Sequence, residues 1–337
     1  DRKIIIIYCY EGKIYIEPDY ATLTKMRERK DANLRHVRNL ERLKGKENIT
    51  QSGQRIDICA NVGTREDIEN VLRSDAGGIG LFRSEFLYME MGSKLPSEEQ
   101  LFQVYKLAAE SMGANRVVVR IADFGGDKMV ESVDLGEQAN PAIGLRGIRI
   151  MMEKEELFLP QFRAILRASA LGNVSIMFPM ITSMEEVAAA KALLEKAKKQ
   201  LKDEKTAYNE NIEIGVMIET PAAVMISREL ARRVDFLSLG TNDLSQYTLA
   251  MDRQNPLLRK KYNDHHPAVL RMIQMVIEAG HAENRRVCIC GELAADTALT
   301  EEFLRMGVDC LSVVPACILP VRKALRQVDL SGDDKGA

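Results

Sequence analysis

Between residues 56 and 313 the chain repeats one alternation: a short apolar run, then a longer stretch whose apolar residues recur every three or four positions. The runs are residues 56–61, 78–82, 117–122, 174–180, 212–218, 235–239, 287–290 and 310–313. Each is strand-sized and mainly apolar, as strands of a parallel sheet covered on its outer side are, and the amphipathic stretches between them predict the crossover helices. Eight such units over about 265 residues match the size of a closed (β/α)8 barrel. An open doubly wound sheet is the alternative, since periodicity alone does not show closure.

The pattern is different ahead of residue 56. Residues 1–20 read as a hairpin: an apolar run at 4–10, Glu11-Gly12 as the turn, a second strand at 13–17, then Pro18. Two strands cannot build a core, so this stub is expected to be the end of a domain that lies outside the chain. Residues 21–50 form a connector, with Leu23, Met26, Leu34, Val37, Leu40 and Leu43 spaced as one face of a highly charged helix reaching 47. The barrel is placed at 51–325, and residues 326–337 are a polar tail expected to fray. The chain starts at Asp1 rather than Met and reads as a fragment or a processed product.

Composition narrows the classes. With 46% hydrophobic and 28% charged residues and a net charge of -2, the chain is an ordinary globular protein with no general electrostatic pull toward nucleic acid or a membrane surface. The charge run at 21–47 is read as a solvated helix face. No apolar run approaches a membrane span. Six cysteines without a CxxC pair do not form a disulfide framework, and four of them (Cys59, Cys288, Cys290 and Cys310) stand in apolar runs, as reduced cytoplasmic thiols do. The four histidines show no metal spacing, and His265-His266-Pro267 reads as a loop and helix start. There is neither a G-x-x-x-x-G-K-[ST] loop nor a G-x-G-x-x-G turn, so nucleotide binding by those routes is disfavoured.

Catalytic groups of such a barrel sit at the C-terminal ends of the strands. Those ends read Leu81-Phe82-Arg83-Ser84-Glu85, Val119-Arg120 followed by Asp123-Phe124-Gly125-Gly126-Asp127-Lys128, Ile218-Glu219-Thr220-Pro221, Gly240-Thr241-Asn242-Asp243 and Cys290-Gly291-Glu292. Arg83 and Arg120 offer rigid donor forks for phosphate or carboxylate oxygens. Glu219 and Asp243, on adjacent strands across from them, suit Mg²⁺, which keeps water and substrate phosphate as its other ligands. A small phosphorylated acid is the substrate such a set would fit.

Longer motifs carry a resemblance. Gly78-Ile79-Gly80-Leu81-Phe82-Arg83-Ser84-Glu85-Phe86-Leu87-Tyr88-Met89, the run Asn140-Pro141-Ala142-Ile143-Gly144-Leu145-Arg146-Gly147, the stretch 235–253 and Cys288-Ile289-Cys290-Gly291-Glu292-Leu293-Ala294 resemble enzyme I, the phosphoenolpyruvate–protein phosphotransferases of the bacterial sugar phosphotransferase system. The resemblance covers roughly residues 20–325 in the family's order, and it is closer than that to the related dikinases. It implies that Arg83, Arg120, Arg146 and Arg253 hold the phosphate and carboxylate of phosphoenolpyruvate, with Asn242 beside the phosphate. Glu219 and Asp243 would ligate Mg²⁺, and Cys290 would exchange a proton with the methylene carbon. Arg146 and Arg253 rest mainly on the resemblance, because periodicity does not place their loops. It further implies a phosphohistidine on a swivelling domain, a histidine-containing carrier protein as partner, release of pyruvate, and a homodimer. A non-catalytic sensing or dimerising module and the barrel of a dikinase are the alternatives. Val314 and Cys317 stand where the family often has Ser, at what is expected to be the pocket edge.

Overall fold

The computed structural model describes residues 3–92, 94–125, 133 and 135–331. Gly126-Asp127-Lys128 and the end of the polar tail beyond 331 lie outside the described residues. By its internal contacts the chain divides into two units, residues 1–46 and 47–337.

In the first unit, β1 (Ile5–Tyr8) and β2 (Lys13–Ile16) form an antiparallel ribbon with Ile5 opposite Ile16. Gly12, at φ +61, supplies the left-handed residue the turn requires. Helix α1 (Tyr20–Glu41) starts where the Asp19 carboxylate accepts from Thr22 N–H, an ordinary N-cap. It stops at Glu41 rather than running to 47, because single turns (Leu43 N–H to Leu40 O, Lys46 N–H to Leu43 O) and Gly45 at φ +71 replace the helical ladder.

The second unit is a closed barrel of eight parallel strands: β3 (Asp57–Val62), β4 (Ile79–Arg83), β5 (Val117–Arg120), β6 (Val174–Phe178), β7 (Ile214–Ile218), β8 (Phe236–Leu239), β9 (Arg286–Ile289) and β10 (Cys310–Val313), with β10 returning to pair β3. All eight apolar runs are barrel strands, and the open-sheet alternative is excluded by that last pairing. Between strands run α2 (Arg65–Ser74), α3 (Glu85–Glu90), α4 (Glu98–Met112), α5 (Ile148–Glu153), α6 (Glu155–Ser169), α7 (Met184–Asp203), α8 (Pro221–Met225), α9 (Ser227–Ala231), α10 (Thr241–Leu249), α11 (Pro267–Ala282) and α12 (Thr300–Arg305), and α13 (Ile318–Leu325) follows the last strand. Reciprocal capping boxes fix the starts of α2, α4 and α7, at Thr64/Asp67, Ser97/Gln100 and Ser183/Glu186. His266 caps α11 with Pro267 in its first turn.

Two apolar layers result. One large core lies between the strands and the surrounding helices. A smaller cluster of Leu81, Val118, Met177, Met217, Phe236 and Cys290 fills the barrel itself, so the interior is a packed floor rather than a pore. Two glycines make that filling possible. A Cβ on Gly215 would lie 2.3 Å from the ring of Phe236, its in-register neighbour, and one on Gly80 would lie 2.4 Å from Ser312 Oγ.

Candidate active site

The C-terminal strand ends open into a cavity of about 320 Å³. Arg83 and Arg120 are the last residues of β4 and β5 and pair with each other in register. Glu219 follows β7 directly, Asn242 and Asp243 form the first turn of α10, Cys290 follows β9, and Arg253 comes from the connection after α10. These seven residues line one cavity. Arg146, the eighth residue named from the sequence, is not brought to it.

Arg146 is 1% exposed and turned into the protein. Its Nη2 donates to Asp123 Oδ2 (2.8 Å) and its Nη1 to the Tyr247 hydroxyl (2.8 Å), with Asp243 Oδ1 3.6 Å away. It therefore braces one of the cavity's carboxylates from behind. Arg120, 3% exposed, hydrogen-bonds Glu85 through Nη2 and stands 4.0 Å from Glu219 Oε2 through Nη1. Burial works against its charge, yet Glu85, Asp123, Glu219 and Asp243 hold it protonated. Arg83 lies over the Phe86 ring, 4.7 Å from its centroid, and its buried Nε has no hydrogen-bond partner. Burial lowers the pKa of this guanidinium, and Arg120 nearby adds to the effect. A donor left unsatisfied beside an open cavity is one that an anion can satisfy. On the opposite wall, Asn242 Nδ2 donates to Glu292 Oε1 (3.0 Å), and Arg253 Nη1 is 3.8 Å from the same carboxylate oxygen.

Negative charge is concentrated between the two walls. Glu219 Oε1 accepts from Met180 N–H at 2.7 Å. Burial pushes the Glu219 carboxyl well above the usual carboxylate range, and the charge of Asp243 pushes it further; Arg120 only partly offsets them. Two hard oxygen donors that repel each other in a buried site suit a hard divalent cation. Among the described residues, no group of three or more His, Cys, Asp and Glu side chains is disposed to hold a metal ion. Among those residues, Glu219 and Asp243 are thus a pair of carboxylates without a third such side chain beside them to complete a metal-binding group.

Cys290 is 4% exposed, with Sγ 3.3 Å from Leu239 O. Burial pushes its thiol up to about 11, with Ser238 pulling the other way. In this site Cys290 therefore holds its proton. Cys288 shares the inward face of β9 but belongs to another cavity, at the N-terminal strand ends, together with Cys59 and Cys310. At the rim, Val314 lines the active-site cavity and Cys317 does not.

Sequence reading passed over Glu85, Asp123 and Tyr247 as site residues, although the first two stood in the strand ends it quoted. For Glu85 and Asp123 the signal was a carboxylate two or three residues from an arginine at a strand end, which has meaning only once the partners are known to be buried together; Tyr247 carried no such local signal.

Residues 37–330 match the family described as PEP-utilising enzyme, PEP-binding domain. Curated relatives named phosphoenolpyruvate-protein phosphotransferase are similar over nearly the whole chain. That of Haemophilus influenzae is 41% identical over 96% of this chain and 56% of its own length. That of Staphylococcus carnosus is 39% identical over 97% of this chain and 57% of its own length, and that of Bacillus subtilis is 39% identical over 96% and 57%. The chain thus spans a little over half the length of these relatives. A solved citrate lyase from Burkholderia xenovorans, 18% identical, superposes with a TM-score of 0.52 over 83% of this chain and 80% of its own. That likeness concerns the fold alone. No described helix is long and apolar enough to cross a membrane.

Proposed function

The chain belongs to the family of PEP-utilising enzymes through their phosphoenolpyruvate-binding domain, and from that premise we propose that it is the substrate-binding catalytic barrel of a phosphoenolpyruvate–protein phosphotransferase. Its reaction would move the phosphoryl group of phosphoenolpyruvate to a histidine on a separate domain and release pyruvate. From that histidine the group would pass to a small histidine-containing carrier protein. The active protein would be a cytoplasmic homodimer.

The convergence of seven residues on one cavity carries this reading. Arg83 and Arg120 supply guanidinium forks on one wall, with Asn242 and Arg253 opposite, which is enough to hold a phosphate and a carboxylate fixed about one enol plane. Arg146 acts from behind, keeping Asp243 and Asp123 in place. Glu219 and Asp243 would hold Mg²⁺; when bound, the ion would offset the buried negative charge and neutralise phosphate oxygens. In the transfer, the phosphorus–oxygen bond to the enol carbon breaks, a phosphorus–nitrogen bond to the incoming histidine forms, and the electron pair stays on the enolate oxygen. The arginines would stabilise that oxygen. Cys290, whose thiol is protonated at neutral pH, gives its proton to the methylene carbon and so completes pyruvate. This step favours a catalytic barrel over a sensing module, since anion binding alone makes no use of a thiol at the cavity floor.

Calorimetric titration of the chain with phosphoenolpyruvate, with and without Mg²⁺, tests the reading. Saturable one-site binding that tightens with Mg²⁺ is expected. Absence of binding under both conditions would refute it.

A further inference from the structure

Arg120 is gripped at two points, and neither grip belongs to the cavity. Its backbone carbonyl accepts from Ser84 Oγ (2.8 Å) and Gln161 Nε2 (3.3 Å). The Tyr105 hydroxyl donates to Ser84 Oγ (2.9 Å) and accepts from Gln161 Nε2 (3.1 Å), while Gln161 Oε1 accepts from Ala122 N–H (3.0 Å). Ser84, Tyr105 and Gln161 are fully buried, so this network fixes the end of β5 without solvent. The second grip is on the guanidinium. Glu85, 0% exposed, takes the Nη2 hydrogen bond, leaving Nη1 directed toward Met217 Sδ (3.3 Å) and Glu219 Oε2 (4.0 Å).

A carboxylate this deeply buried needs a reason. Replacing a buried ion pair by well-packed apolar residues is often neutral or stabilising, so stability does not account for Glu85. Its geometric effect is definite. Asp123 Oδ2 (3.9 Å from Nη2) and Glu219 Oε2 (4.0 Å from Nη1) also attract the guanidinium, and without Glu85 those carboxylates would turn the fork toward themselves.

We propose that Glu85 is a positioning residue: together with the Ser84–Tyr105–Gln161 clamp on the backbone, it sets the plane in which Arg120 presents its fork to a bound anion. The proposal deepens the phosphoenolpyruvate reading and rests on it. Fork orientation matters to a ligand whose two anionic groups are fixed about a rigid enol plane. It matters less to inorganic phosphate, a small tetrahedral anion with no second group to place, which can turn to meet the fork in a new plane. Loss of positioning therefore changes the ratio of the two affinities, which a merely loosened fold would not.

The test titrates the full chain, in Mg²⁺, with phosphoenolpyruvate and separately with inorganic phosphate, for the parent, Glu85→Gln and Tyr105→Phe, each checked for a cooperative melt. For Glu85→Gln the expected result is a loss of about ten- to hundredfold in phosphoenolpyruvate affinity, with phosphate affinity kept within about threefold. Tyr105→Phe, which loosens the backbone clamp and leaves no charge unpaired, should lower the same ratio by about threefold or more. A folded Glu85→Gln with an unchanged ratio, or with both affinities lowered by one common factor, overturns the proposal. If Glu85→Gln does not fold, Tyr105→Phe decides: a lowered ratio supports positioning and an unchanged one overturns it. A parent that binds no phosphoenolpyruvate refutes the proposed function itself, and the positioning role falls with it.

Discussion

Replacing Cys290 by alanine separates proton transfer from substrate binding. The side chain is almost wholly buried and its Sγ contacts Leu239 O at 3.3 Å, so the substitution removes one buried atom and a weak hydrogen bond. That costs about 1 kcal/mol, or a fall of about 2–4 °C in Tm for a domain of this size. The arginines are untouched, so phosphoenolpyruvate affinity should change by less than about threefold. The chemistry should change much more. With the thiol at about 11, about one molecule in 10⁴ carries the thiolate at pH 7. The site therefore stands ready to donate, while abstraction from the methyl group of pyruvate should quicken about tenfold per pH unit across the neutral range. The assay is loss of the pyruvate methyl proton signal in D₂O, followed by NMR with Mg²⁺ present. Cys290→Ala should slow exchange at least about a hundredfold. Cys288→Ala, at the far end of the barrel, should leave it unchanged. If Cys290→Ala exchanges as fast as the parent, the thiol is not the acid, and another group carries the proton.

Further outcomes follow from the same geometry. Because the Glu219 carboxyl titrates above its ordinary range, Mg²⁺ binding near neutral pH should release protons and tighten as pH rises. Calorimetry in buffers of different ionisation enthalpy should detect that release, and Glu219→Gln should abolish both the release and the Mg²⁺ dependence of phosphoenolpyruvate binding. Arg120→Lys should lower phosphoenolpyruvate affinity at least about tenfold, since a point charge does not replace the fork; normal binding would sink that assignment. A Cβ on Gly240 would lie 2.8 Å from Glu219 Oε2 and Cβ and 3.1 Å from Met217 Cγ. Gly240→Ala should therefore weaken Mg²⁺-dependent binding, at a stability cost of about 1–3 kcal/mol by thermal melting. Hydrogen bonds among the thiols, with burial behind them, hold Cys59 and Cys310 well above their ordinary value. Cys288, which the Cys310 hydrogen bond pulls down, is raised by burial and by the neighbouring thiols. Mass spectrometry after brief alkylation should find exposed Cys9 labelled first and those three labelled only after denaturation.

Most of the fold was legible because a barrel strand is buried on both sides, and eight mainly apolar runs such as Val117-Val118-Val119 leave few other arrangements. Arg83, Arg120, Glu219, Asp243 and Cys290 were legible for a related reason. A charged or thiol-bearing residue at the end of such a run has nowhere to point except the mouth. Arg146 was not, since its partners Asp123 and Tyr247 are 23 and 101 residues away and no local pattern records that distance. Nor was the raised thiol of Cys290, because burial is a property of the assembled floor around it. Glu85 illustrates the same limit. Beside Arg83 in the sequence it looks like that residue's partner, yet it is Arg120, on the next strand, whose guanidinium it takes.

The packing of the barrel floor has a consequence for how this sequence can change over generations. Gly215 and Phe236 occupy one volume between them, as do Gly80 and Ser312. A methyl group gained at 215 meets the Phe236 ring unless that ring has already been exchanged for something smaller. A shrinkage at 236 that comes first opens a void costing about 3–5 kcal/mol, a large share of the margin of a typical domain. Each pair therefore drifts as a single locus with a steep valley between its two solutions, and the order of substitutions matters. A library varied at 215 and 236 together should return folded members in which one residue is large and the other small. The same library varied one position at a time should return almost none.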